Sequence, residues 1–198
     1  IGQPDANATA MTGGSFELYG RTITGGTIAT GALSFTSAGG TLSNVSYTGD
    51  LSLAASTSVS FTNGTTFTGA NLTLGNYATL GWNQNGTLAG KAITFGATNY
   101  YYYGITVGTS NTLTLDSATT LSGNVNLTGT TGATITNQGL ITQTTGSGSI
   151  YAPTLANYGT ITATAGTLYL GYPSAVYNSM NTGTVTAESI QKTEIVST

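Results

Sequence analysis

Few residues in this chain are able to do chemistry. Asp5, Glu17, Asp50, Asp116, Glu188 and Glu194 are its only acids, Arg21, Lys91 and Lys192 its only bases, and histidine and cysteine are absent. A carbohydrate lyase or glycosidase needs two or more converging carboxylates, often with a cation to meet developing charge. These acids are scattered through the chain. Asp50 follows a glycine in TGDLSL and Asp116 closes LTLDSA, both ordinary turn positions for aspartate. Without His or Cys the chain lacks the commonest general base, the thiol nucleophile, disulfides and the usual zinc ligands. It reads as a protein with no catalytic residue, no cofactor and no metal site, and the Gly-Gly-x-Gly-x-Asp calcium repeat does not occur.

The most unusual stretch is NYYYYG at 99–104, with Tyr77 and Trp82 one repeat earlier. Aromatic faces stack on sugar rings, and tyrosine joins apolar area to a hydroxyl. Tyr77, Trp82, Tyr100, Tyr101, Tyr102 and Tyr103 are therefore candidate contacts for a surface glycan or a partner. Alternate tyrosines of a strand point to opposite sides, so two of the run of four are expected to pack inward or against a neighbouring repeat. Recurrent asparagines are expected to bond the backbone at corners and to stack on the asparagine of the next repeat.

Composition narrows the partners. The net charge is −3 with three basic residues in 198, whereas a phosphate backbone needs clustered Lys and Arg, so nucleic acid is not expected. No run approaches the roughly 18 apolar residues of a membrane helix, so no membrane insertion is expected. Charged residues are 5% of the chain, and Gly, Thr, Ser and Asn are abundant. Steady recurrence of Ile, Val, Leu, Phe and Tyr nevertheless marks a folded chain rather than a disordered one. The absence of Cys, the scarcity of Lys and the Thr/Ser/Asn/Gly excess suggest an exported protein, secreted or on a bacterial cell surface. The opening IGQPDANATA has no charged n-region or apolar h-region, so a signal peptide is expected to be already removed or to lie upstream.

The elements that would position these residues come from a repeat. Asn-Gly or Asn-x-Gly falls at Asn63-Gly64, Asn85-Gly86, Asn137-Gln138-Gly139, Asn157-Tyr158-Gly159 and Asn181-Thr182-Gly183, with glycine steps of 22, 53, 20 and 24. The long step has room for two enlarged units. Within units, apolar residues alternate over short runs (Leu51/Leu53, Val59/Phe61, Leu72/Leu74, Ile93/Phe95, Leu113/Leu115, Val125/Leu127), which is strand period. No window carries helical spacing. Two or three short strands per unit, each unit ending in a glycine corner, predict an all-β fold: a single parallel β-solenoid of about eight coils of 20–24 residues. The competing architecture is a sandwich of antiparallel hairpins turning at Asn-Gly. The expected division is an N-terminal extension at 1–10, the solenoid at 11–187 and an end segment at 188–198.

NQGLIT, NYGTITATAGTLYLG and NTGTVTA resemble the Asn-x-Gly-Thr-Ile repeats of filamentous-haemagglutinin-like exoproteins and autotransporter passengers. The similarity covers most of 27–187 and implies a right-handed β-helix used in adhesion. The chain departs from that pattern in its enlarged Tyr-rich unit, and it shows no translocation domain.

The functional expectation is a non-enzymatic structural or adhesive rod. Its partners would be neighbouring repeats of a longer chain, another copy stacked end to end through Ile190, Ile195 and Val196, or a surface glycan. A glycan-degrading β-helix and an ice-binding solenoid are the alternatives. Thr-x-Thr pairs fall at differing positions within the units, so no long regular threonine face is expected.

Overall fold

The short alternating runs form strands whose backbone groups are met by neighbouring turns of the chain. A computed structural model describes residues 15–96, 103–171 and 178–187; it contains strands and no helix among them. Every pairing between strands is parallel, and every third strand along the chain belongs to the same side. The chain is thus a three-sided parallel β-solenoid. The hairpin sandwich is excluded, because the strands flanking Asn63-Gly64, Ser58–Thr62 and Thr66–Phe67, pair parallel with strands of neighbouring turns and not with each other.

The first sheet has seven strands, from Leu51–Leu53 through Asn71–Leu74, Ala92–Phe95, Thr120–Gly123, Leu140–Gln143 and Thr160–Ala163 to Thr184–Ala187. The second has eight, from Thr22–Thr24 to Thr167–Leu170, which makes seven turns between its ends and about 34 Å of rod at ~4.8 Å per step. The third has five, from Gly86–Leu88 to Asn178–Asn181. Its side is continued toward the N-terminus by a separate three-stranded sheet of Thr27–Ala29, Ser46–Thr48 and Thr66–Phe67, and the first side by the pair Phe16–Leu18 and Leu33–Phe35.

Turn length varies more than the expected 20–24 residues. Thr22 pairs with Thr41, a step of 19, while Ile93 pairs with Leu121, a step of 28. The 53-residue interval between glycines is indeed two turns, since Gly86 sits on Leu113 and the next turn places Ile135 on Leu113. Corners absorb the differences, and the strands keep register.

That register builds the core. On the first sheet Leu51, Leu72, Ile93, Leu121, Ile141, Ile161 and Val185 form one inward column; on the second, Val59, Leu80, Ile105, Leu127 and Ile150 form another. Nearly all are fully buried, and each such side chain contributes about 1.5–3 kcal/mol.

The corner between the third and first sheets explains the Asn-x-Gly motif residue by residue. Asn137 points inward, its Nδ2 donating to Asn157 Oδ1 at 2.7 Å, and Asn157 does the same to Asn181 at 2.8 Å. Asn137 Oδ1 accepts from the Gly139 N–H, which would otherwise lack a partner in the bend. The middle residues Gln138, Tyr158 and Thr182 are exposed. The glycines stack so closely that a Cβ on Gly159 would lie 2.2 Å from Gly139 O, leaving no room for a side chain.

Two substitutions check this account by urea unfolding. Leu80→Ala is expected to lower stability by about 2–5 kcal/mol by opening a cavity in a fully buried column. Asn157→Ala interrupts the amide ladder on both sides and is expected to cost about 1–3 kcal/mol, a cost that Asn157→Leu does not remove.

Candidate functional site

Both described aspartates lie at the corner between the third and first sheets, and both serve the backbone. Asp50 Oδ1 accepts from the Asn71 N–H at 2.9 Å and its Oδ2 from Asn71 Nδ2 at 2.7 Å. Asp116 Oδ1 accepts from the Gly90 N–H at 2.9 Å and from the Thr119 hydroxyl at 2.7 Å. The Asn71 side-chain amide, then its backbone N–H, holds the Asp50 carboxyl below its usual value; the Gly90 N–H, then the Thr119 hydroxyl, does so for Asp116. A general acid needs the opposite shift. No group of three His, Cys, Asp or Glu side chains suited to a metal occurs among the described residues.

Lys91 lies along the same edge, where the third side is interrupted between Thr66–Phe67 and Gly86–Leu88. Its ammonium donates to Phe67 O at 3.1 Å and Gly69 O at 2.6 Å, and lies 4.5 Å from the centre of the Phe67 ring. Gln84, one turn above Thr65, acts as a substitute peptide unit. Its Oε1 accepts from the Gly64 and Thr65 N–H groups and its Nε2 donates to Thr65 O at 2.8 Å. Between them remains a cleft of about 180 Å³ lined by Phe67, Trp82, Thr87, Leu88 and Lys91.

The aromatic candidates separate. Trp82 is 2% exposed, packs at 6.4 Å from Phe61 and donates its indole N–H to Thr112 O at 3.3 Å, so it is a core residue and not an outward contact. Its alternation with Leu80 in one strand is the signal that places it inside. Tyr77 and Tyr103 come together edge to face with ring centres 5.1 Å apart, and Tyr77 is 42% exposed. Tyr100, Tyr101 and Tyr102 lie outside the described residues, as do Ile190, Ile195 and Val196.

Ser37, Ser56, Thr57, Ser58 and Thr79 join Tyr77 and Tyr103 around an open groove of about 510 Å³ at the corner between the first and second sheets. None of the serines or threonines stands out in the sequence, because hydroxyl residues are everywhere in it.

The expectation of no long regular threonine face concerns threonine alone; the register lines up a mixed serine and threonine rank, with Thr162 buried. Ser52, Thr73, Thr94, Ser122, Thr142, Thr162 and Thr186 pair in succession across the whole first sheet and form one outward rank. Unequal corner lengths hide it in the sequence, since counting from corner to corner does not recover which residues meet.

The lowered carboxyl values carry a pH prediction. A group whose folded pKa is depressed contributes stability that is present above its unfolded value and lost as pH falls through the folded one. Unfolding midpoints are therefore expected to drop on acidification below about pH 4. Asp50→Asn combined with Asp116→Asn is expected to flatten that drop in urea titrations taken between neutral pH and pH 3.

Compared with known proteins, the chain matches no family model, no curated protein and no solved structure.

Proposed function

We propose that the chain is a non-enzymatic extracellular solenoid, a rigid structural or adhesive rod that belongs to a bacterial surface adhesin or stacks on its own kind end to end. The observation that carries this reading is the use of Asp50 and Asp116, which cap corner amides in neighbouring turns and are held in the ionised form. The described strands meanwhile turn hydroxyls and few charges outward, a surface suited to many weak polar contacts along a stiff axis. Resemblance of the Asn-x-Gly-Thr repeats to haemagglutinin-like passengers supports the adhesive role and the surface location.

Beads coated with the purified chain are expected to attach to bacterial or host cell surfaces, or the chain to associate end to end in sedimentation at micromolar concentration, with no oligosaccharide product released from a polysaccharide panel. Inert beads together with a stable monomer would overturn the proposal, as would cleavage.

One observation favours a second reading. The rank from Ser52 to Thr186, exposed at Ser52, Thr73, Thr94 and Thr186 though buried at Thr162, is an uncharged, register-spaced hydroxyl array of the kind an ice-binding surface uses. Thermal hysteresis in solutions of the chain that disappears in Thr94→Lys would replace the adhesive reading with this one; its absence closes it.

A further inference from the structure

We infer that the groove between Tyr77 and Tyr103 is a binding site for a neutral, linear glycan lying along the solenoid axis. This deepens the adhesive reading and rests on it.

The groove is built by one corner in successive turns. Ser37, Ser56 and Ser58, Tyr77 and Thr79, and Tyr103 belong to four consecutive passages of the chain between the first and second sides, so the groove runs along the axis for about 14 Å at ~4.8 Å per step. Ser58 and Thr79 pair directly and turn their side chains to the same side, and Gly104 continues their row without a side chain. Its volume, about 510 Å³, is that of a small-ligand site.

The lining determines the ligand chemistry. Hydroxyls both donate and accept, as sugar hydroxyls do, and the two tyrosines offer ring surface for the apolar face of a pyranose. Among the described residues no Asp, Glu, Lys or Arg lines the groove. A charged glycan would therefore find no counter-ion there, whereas a neutral one exchanges its hydrogen bonds to water for bonds to the groove hydroxyls.

A second, independent observation is the backbone of Tyr77. It sits at φ 59°, in the left-handed region that a bulky residue avoids. The corresponding bend one turn earlier holds Ser56 at φ 61°, a small residue suited to that geometry. At this corner the chain sets an aromatic ring where Gly would be the easy choice, and leaves it 42% exposed against the edge of Tyr103. Backbone strain retained at an exposed side chain points to use of that side chain.

The test separates binding from folding. Hexasaccharides of neutral β-glucan, xylan, mannan and chitin type are titrated into the chain by calorimetry, with alginate and heparin fragments as charged controls. At least one neutral hexasaccharide is expected to bind. Tyr77→Gly is expected to weaken it by about tenfold while leaving the urea midpoint unchanged or raised, because glycine relieves the positive φ. Thr79→Val, which keeps the shape and removes a hydroxyl, is expected to weaken it about threefold, and serves as the readout should Tyr77→Gly fail to fold. No neutral binding at millimolar sugar, binding undiminished in these variants, or binding confined to the charged fragments would overturn the site. In those cases bead attachment that persists leaves the adhesive reading intact, so the two failures are distinguishable.

Discussion

Each turn of this chain depends on the turn beneath it for its backbone hydrogen bonds. A strand of two to five residues has no partner within its own turn, and its N–H and C=O groups are satisfied only when the preceding and following turns lie parallel and in register. Side-chain placement follows from that constraint. Once Leu72 lies on Leu51 and Ile93 on Leu72, the alternation of the strand sends every second residue into a shared column and the intervening ones to the surface. The core is narrow, one side chain deep from each face, so a chain with 38% hydrophobic residues can fill it.

Corners operate under a different rule. They are free in length but must satisfy the groups that the bend releases, and the chain uses several devices to do so: the asparagine ladder at 137, 157 and 181, carboxylate caps at Asp50 and Asp116, and the Gln84 amide that stands in for a missing strand. Several polar residues in the interior are thus backbone partners. Gln143 is another case, its Oε1 accepting from the Val125 N–H at 2.8 Å while its Nε2 donates to Asn124 Oδ1 at 2.9 Å.

What the sequence reveals and hides divides along the same line. Strand interiors were legible, because Leu51/Leu53 or Ile93/Phe95 show their inward faces by alternation alone, and Asn-x-Gly marked corners because its glycine has no space for a Cβ. Register between turns was not legible wherever a corner was enlarged. The 28-residue step from Ile93 to Leu121 breaks any count of period, and with it the view of the rank that joins Thr94 to Ser122. Trp82 draws notice by its chemical character, although its spacing from Leu80 places it in the core. The groove was half visible: its tyrosines are rare enough to attract notice, but Ser58 and Thr79 become significant only when two turns are stacked.

The interruption at Lys91 and Gln84 has a mechanical meaning. In a rod pulled along its axis, all interfaces between turns carry the same load in series, and each is held by as many hydrogen-bonded ladders as there are continuous sides. Where the third side is broken between Phe67 and Leu88, two ladders bear the tension, helped by an ammonium on two carbonyls and one carboxamide on Thr65. The first side is broken likewise between Leu33–Phe35 and Leu51–Leu53. Under force the solenoid would part at these joints first. The turns from Gly86 onward, where all three described sides are continuous, would remain wound as a unit and take up strain only after the joints near the N-terminal turns had opened.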